Sequence, residues 1–370
     1  MEKLTIEQFF FDMVLWFSFL ATNCRFLTSN ARCEVAYRKD NNYVPLFVFL
    51  LVFCTFGFVT GDYFNYLELY KRNTDLSAGS SGQHVEAVYL WLLKNLPKSF
   101  ALWRFVVWGM AAVLMVATFK RLRVPAKTTN LVFLLSISVV FASFRNTLGF
   151  VALFYGSTSL FSNRGNKIFN CVVFGIFLTC SLFLHRSMFI FATLFCVALI
   201  PIGKKTYLLS ILLFPVLYKL IDSYAYQLLG SSLISEDSAA HGVGYLESDY
   251  RVDTTLMGYV QLLIWRLPIY AILIFSVWNI YFKKQKVDYA QRVYLNATYS
   301  LVYMSLLWYG QEVSAFLTSR FHDSAMFFFS VFLSMYIPTR PKSKLLRRSL
   351  WVLLFANMYN FAYQFYKNFL

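Results

Sequence analysis

The sequence predicts an all-α polytopic membrane protein, a bundle of about 12 (11–12) transmembrane helices in a single domain over residues 1–370. Three observations predict this fold class. Hydrophobic residues make up 58% of the chain and charged residues only 14%, whereas soluble proteins carry about 25% charged residues. Apolar runs close to the length that crosses a bilayer, roughly 17–25 residues, recur along the whole chain. The loops between these runs are alternately basic and non-basic.

The apolar runs can be drawn as twelve segments. The stretch 129–162 can be divided in more than one way, so 11 is the alternative count. The chain begins without a basic leader or a small-residue cleavage site, so Met1–Thr22 is expected to be a first membrane segment rather than a signal peptide. The segments are 7–22, 44–61, 100–119, 129–145, 146–162, 168–184, 187–202, 206–222, 257–281, 289–310, 321–338 and 349–366.

Basic residues orient the predicted bundle, because Lys and Arg favour cytoplasmic loops. Their clusters fall in every second loop, which supports the segment count and assigns these loops to the cytoplasm. The clusters are Arg25, Arg32, Arg38 and Lys39; Lys120, Arg121, Arg123 and Lys127; Arg164 and Lys167; Lys204 and Lys205; Lys283, Lys284 and Lys286; and Arg340, Lys342, Lys344, Arg347 and Arg348. The other loops are predicted to be external, and the two longest are 62–99 and 223–256.

The net charge of +16 is spread over short cytoplasmic loops, so we expect no nucleic acid partner. None of the six cysteines falls in a predicted external loop, so no disulfide is expected. The sequence has no Cys/His cluster and no nucleotide-binding or common hydrolase motif. We therefore expect neither a metal nor another cofactor.

Three arginines break the charge pattern. Arg145, Arg186 and Arg320 each interrupt or border an apolar run at an end predicted to be external. Arginine in the bilayer centre costs roughly 2.5–3.5 kcal/mol on insertion scales. Outward-facing guanidinium groups suit a phosphate or diphosphate ligand. The structural alternatives are interfacial anchoring, helix capping and, for the third arginine, an ion pair with Asp323.

Other external groups extend this hypothesis. His185, beside Arg186, is a candidate to bind or protonate a phosphate. Asp62 and Glu86 are the best candidates to take a proton from an attacking sugar hydroxyl, although a Gly-Asp pair also starts turns. Further polar residues in the two long loops are candidates for substrate binding: Tyr66, Arg72 and Arg251. Arg104, Arg251 and Arg266 are as consistent with a structural role as with a functional one.

Five short motifs follow one another in order along residues 50–335. They are Gly61-Asp62 with Tyr66, Glu86 with Tyr89, Arg145-Asn146, Phe183-Leu184-His185-Arg186-Ser187 and Ser319-Arg320-Phe321. Together these motifs resemble the EpsG-like branch of the Wzy-type polysaccharide polymerases. The late arginine departs from that family's pattern, because His322-Asp323 follows it and a tyrosine a few residues on is missing.

The resemblance implies a glycosyltransferase of the bacterial inner membrane that is active at its periplasmic face. Its substrate would be an undecaprenyl-diphosphate-linked oligosaccharide, and its product a longer O-antigen, capsular or exopolysaccharide chain. The resemblance implies Asp62, Glu86 and His185 as catalytic residues and Arg145, Arg186 and Arg320 as ligands of the diphosphate. Membrane lipid and a chain-length regulator protein are the expected partners.

Two other classes of protein remain open on the sequence. A flippase for lipid-linked oligosaccharides also needs arginines for a diphosphate, but it is expected to show pseudo-repeats that are not visible here. Another membrane transferase, acting on a lipid-phosphate sugar or an acyl group, would place Asp62 in a similar external loop. Product mass separates these reactions.

Overall fold

The computed structural model describes residues 6–23, 42–56, 67, 70–71, 91, 95, 99–126, 128–129, 144–162, 166–185, 187–230, 256–308, 315–339, 348–353 and 355. The regular elements in these residues are all helical, as the sequence predicts. The α-helices are α1 (Ile6–Asn23), α2 (Val44–Phe56), α3 (Phe100–Arg121), α4 (Phe144–Leu160), α5 (Lys167–Leu184), α6 (Met188–Ala198), α7 (Lys204–Gly230), α8 (Leu256–Val277), α9 (Tyr289–Leu307) and α10 (Ala315–Tyr336). A π-helical turn follows α8 and a 3₁₀ turn follows α10.

The ten helices coincide with ten of the predicted segments, with shifts at the ends. α7 continues to Gly230, eight residues past the predicted boundary, because the residues after Asp222 are compatible with a helix. α10 begins at Ala315, six residues before the predicted start. Most of the predicted external loops 62–99 and 223–256, and residues 130–143, lie outside the described residues.

By length and composition, two of the described helices can cross a membrane, α3 and α5. Three shorter apolar stretches are Thr147–Leu160, Met188–Ala198 and Arg266–Phe282. The predicted count of about 12 spans therefore stays a prediction. Large apolar side chains are nevertheless exposed along whole helix faces, which soluble proteins avoid and a bilayer would cover. They include Ile168, Val172, Ile176 and Phe183 on α5, and Leu209, Leu212, Val216 and Leu220 on α7.

The chain divides into two compact units. The first comprises Met1–Thr193 and Ser330–Leu370, and the second comprises Leu194–Phe329. The prediction of a single domain rests on sequence alone. Each unit is described by itself below.

An antiparallel pair, α4 and α5, lies in the first unit. Ser159 Oγ on α4 donates a hydrogen bond to the carbonyl oxygen of Asn170 on α5 at 2.8 Å. In the middle of the pair, a methyl group added to Gly156 would lie 2.5 Å from Phe177 Cβ. Only glycine allows the two backbones to approach this closely. The close approach fixes how α4 and α5 pack.

The second unit contains a partly buried polar network between α7, α9 and the π-helical turn, with Tyr207 and Asn296 at its buried centre. Hydroxyl groups of Tyr207 and Tyr281 both donate to Oδ1 of Asn296 at 2.6 Å. Ser210 Oγ lies 2.6 Å from Tyr299 Oη, and Tyr303 Oη donates to the Ser210 carbonyl. Because each of these hydrogen bonds joins side chains or backbone of separate elements, the network fixes the helices at the end predicted to be cytoplasmic.

Candidate functional site

The structure describes only part of the predicted site. Arg320 and His185 are described fully, and Arg145 is described as a position in a helix without its side chain. The remaining predicted site residues lie outside the described residues: Asp62, Tyr66, Arg72, Glu86, Arg186 and Arg251. Their roles therefore stay predictions.

Arg145 and His185 lie at the same end of the α4–α5 pair. Arg145 is the second residue of α4, and one turn later the Gly149 carbonyl accepts a hydrogen bond from Ser181 Oγ at 2.8 Å. Ser181 lies one turn before His185, the residue that ends α5. Because the two helices are antiparallel, the Gly149–Ser181 contact places the positions of Arg145 and His185 beside each other at the predicted external end.

The start of α6 lies at this end too. His185 has extended backbone angles, and Met188, three residues later, begins the next helix. Met188 is fully buried, and a methyl group added to Gly149 would lie 2.5 Å from its Cγ. The start of α6, three residues after His185, is therefore held against the first turns of α4.

The α3 helix brings another cation to the first unit. Arg121 Nη1, at the end of α3, donates to Thr158 Oγ1 near the end of α4 at 3.4 Å, and its guanidinium lies 4.3 Å from the Tyr155 ring centroid. Since α3 and α4 pack together in the same direction, their first turns also share an end. Arg104 is 6% exposed there, about one helical turn, roughly 6 Å, beyond the level of Arg145.

The electrostatics of this end favour an anion. Helices α3 and α4 begin at it, and the free N–H groups of a helix start carry partial positive charge. At the start of α6, the Met188 and Ile190 N–H groups instead donate to the carbonyl oxygens of His185 and Ser187. The positions of Arg104, Arg145 and His185 add side chains that donate hydrogen bonds. A phosphate oxygen fits this combination of helix starts and cations. We refer to this end of α3, α4, α5 and α6 as the basic end.

Arg320 lies in the second unit, and its place differs from the prediction. Arg320 was predicted to lie just before a membrane segment. In the structure it is the sixth residue of α10 and is half-buried. The difference arises because the preceding Ala-Phe-Leu-Thr-Ser stretch is also helical. Since the two units are described separately, a common cavity for all three arginines stays a prediction.

A buried histidine in the second unit was not included among the predicted site residues. His322 is 2% exposed, and its Nδ1 lies 3.9 Å from Asp323 Oδ1. Its ring lies edge-on to Tyr270 on α8, with ring centroids 6.1 Å apart. The sequence signal was present, because His322 breaks the apolar pattern of α10, but the neighbour on α8 cannot be inferred from spacing along one helix.

The described residues thus define a class of protein: an all-α, strongly apolar helical protein, with cations at one end of the packed helices of the first unit. The chain belongs to the EpsG family, whose model matches residues 42–370. That family is related to the Wzy-like polymerases, which confirms the resemblance inferred from the motifs. The chain is accordingly a membrane protein of polysaccharide biosynthesis, of a type related to glycosyl-transfer polymerases.

No curated protein and no solved structure matches the chain.

Proposed function

We propose that this protein is a polysaccharide polymerase of the bacterial inner membrane. It transfers a growing glycan from undecaprenyl diphosphate to the next lipid-linked repeat unit at the periplasmic face. The observation that supports this proposal most strongly is the basic end, where the positions of Arg145 and His185 meet the start of α6. Such an arrangement suits a diphosphate leaving group, in a chain of the EpsG family.

The reaction needs charge stabilisation more than bond-making by the protein. The bond between the anomeric carbon and the diphosphate oxygen breaks, and negative charge develops on that oxygen. Arg145, Arg186 and His185 would donate hydrogen bonds to it, in a place with little competing water. Arg320 was predicted to act in the same way, and this role stays a prediction because Arg320 lies in the second unit.

The acceptor sugar supplies the attacking hydroxyl oxygen, which forms the new bond to the anomeric carbon. Its proton would go to a carboxylate of the first external loop, Asp62 or Glu86. Tyr66, Arg72 and Arg251 would bind the sugars or phosphates of the two substrates. In this scheme guanidinium groups stabilise the negative charge of the leaving diphosphate, as a divalent metal ion does in other transferases.

The test is the length of polysaccharide made by cells that carry variants at wild-type protein levels. Arg145→Ala, Arg186→Ala and Asp62→Asn are expected to shorten or abolish the ladder of repeat units. Arg348→Ala is the matched control, since Arg348 is exposed and belongs to a predicted cytoplasmic cluster. Long chains of normal distribution in all three variants would contradict the proposal.

A further inference from the structure

We propose that the end of α3 predicted to face the cytoplasm binds the phosphate head group of an anionic phospholipid, through Arg121 where it contacts α4. The inference goes beyond the proposed function and does not depend on it, because neither the glycan nor the diphosphate takes part. The site lies at the opposite end of α3 and α4 from the basic end. All the residues that form it belong to the first unit.

Arg121 is the last residue of α3, and two contacts hold its side chain on α4. Its guanidinium carbon lies 4.3 Å from the centroid of the Tyr155 ring, and its Nη1 donates to Thr158 Oγ1 at 3.4 Å. Thr158 Oγ1 in turn donates to the Tyr155 carbonyl oxygen at 2.7 Å, which fixes the position of the hydroxyl. The ring and the hydroxyl together give an exposed guanidinium group a defined place.

Arg121 keeps most of its hydrogen-bonding capacity. A guanidinium group has five N–H groups, and the bond to Thr158 uses one of them. Among the residues that the structure describes, no carboxylate lies within ion-pair distance of Arg121. Because the side chain is exposed, a phosphate oxygen can bind the remaining N–H groups without displacing either contact with α4.

Two further exposed cations lie on the same segment, Lys120 and Arg123. Lys120 Nζ lies 5.9 Å from the Tyr43 ring centroid, and Tyr43 Oη donates to the Val124 carbonyl oxygen, which anchors the segment. Arg123 has a φ of 53°, in the left-handed turn that closes the end of α3. Glycine adopts this conformation most easily, so an arginine keeps a positive charge here at some cost to the backbone. The clustered charges favour a ligand with a net negative charge.

The aromatic rings next to the guanidinium indicate an amphiphilic ligand rather than a free anion. The Tyr155 ring packs edge-on against Phe177 of α5, with ring centroids 4.8 Å apart, and both side chains are half-buried. On α5, Val172 and Ile176 are 53% and 57% exposed, as expected of a surface that faces acyl chains. An anionic phospholipid matches both features, because its phosphate can bind Arg121 while an acyl chain contacts the rings and α5.

The experiment measures phospholipid binding by the purified full-length protein in detergent, using native mass spectrometry. The probes are phosphatidylglycerol, which is anionic, phosphatidylethanolamine, which is zwitterionic, and inorganic phosphate. Phosphatidylglycerol is expected to bind more tightly than phosphatidylethanolamine. Arg121→Gln is expected to weaken binding of phosphatidylglycerol roughly tenfold. Tyr155→Leu should weaken it about threefold, although every charge is kept, because the ring no longer positions the guanidinium.

Two other variants separate a defined site from general attraction to basic loops. Arg121→Lys keeps the charge without the planar group, so its affinity for phosphatidylglycerol should lie between those of Arg121→Gln and the wild type. Lys205→Gln is the matched control, because it removes one exposed positive charge from another predicted cytoplasmic cluster. It should bind phosphatidylglycerol like the wild type. Gel filtration checks folding, and Arg121→Lys decides the outcome if Arg121→Gln does not fold.

Three results would overturn the proposal. Unchanged affinity in Arg121→Gln would remove this residue from the binding of lipid. Equal losses in Arg121→Gln and Lys205→Gln would show diffuse attraction to all the basic loops. Equal binding of the two phospholipids, or displacement of phosphatidylglycerol by inorganic phosphate at the same concentration, would show that an anionic phospholipid is not the ligand.

Discussion

Arg145 occupies the first turn of α4, where backbone N–H groups have no partner within the helix. A cation at this end of a helix is unfavourable by about 0.3–1 kcal/mol, because it adds to the positive end of the helix dipole. A bound anion would offset that cost, because it is attracted both to the guanidinium and to the positive end of the helix. The position therefore makes physical sense if the residue binds a phosphate.

The role proposed for Arg145 depends on the geometry of its guanidinium group as well as on its charge. Arg145→Ala is expected to lower the rate of glycan lengthening by roughly 100- to 1000-fold, the effect of removing one preorganised donor from a transition state. The rate for Arg145→Lys should lie between the rates for Arg145→Ala and the wild type, since lysine keeps the charge but lacks the planar guanidinium group. The rates are measured on purified protein with lipid-linked repeat units. A wild-type rate for the alanine variant would contradict this role.

The polar network of the second unit predicts that two substitutions within it cost unequal amounts of stability. Asn296→Leu leaves two tyrosine hydroxyls without their acceptor and is expected to destabilise the protein by about 2 kcal/mol or more. Tyr281→Phe should cost about 1 kcal/mol or less, because Asn296 still accepts from Tyr207. Thermal unfolding in detergent gives both values. Equal losses would show that the two hydroxyls do not share one acceptor.

At the scale of elements, the helices could be predicted and their contacts could not. Apolar runs and charged loops placed ten of the ten described helices, with end errors at α7 and α10 where helix-compatible residues continue past the apolar core. The tight approaches at Gly149 and Gly156 were not predictable, because a single sequence does not say which helix faces each glycine. The approach at Gly149 is what brings the positions of Arg145 and His185 together.

The glycines of the α4–α5 pair provide a matched comparison. Gly156→Ala would place a methyl group 2.5 Å from Phe177 Cβ, which cannot rotate away, and is expected to destabilise the protein by about 1–3 kcal/mol. Gly175→Ala meets nothing within 4 Å and should be neutral or stabilising by up to about 1 kcal/mol. Thermal unfolding measures the stabilities of the two variants. Similar stabilities would show that α4 and α5 do not approach so closely.

At the scale of the whole molecule, family and class followed from the sequence, whereas the complete site did not. The family match over residues 42–370 agrees with landmarks that are individually short but ordered. Their common site stays a prediction, since Asp62, Glu86 and Arg186 lie outside the described residues. His322 was missed because the ring that packs against it, Tyr270, lies about fifty residues away in the sequence.

The predicted orientation of the chain is testable with single cysteines in a cysteine-free protein. Ser187→Cys lies in the turn after His185 and should react with a membrane-impermeant thiol reagent from the periplasmic side. Lys284→Cys lies in a basic loop and should react only after the membrane is opened. The opposite pattern would place the basic end in the cytoplasm, where undecaprenyl-linked repeat units are not polymerised in the proposed reaction.

The most direct test of the central claim uses purified protein in lipid vesicles with undecaprenyl-diphosphate-linked repeat units of known mass. The account predicts products that grow by whole repeat units, with release of undecaprenyl diphosphate and without added metal. It also predicts that Arg145→Ala abolishes this growth while Arg348→Ala does not. Movement of the labelled lipid across the vesicle membrane without any increase in glycan mass would contradict the account and identify a transporter.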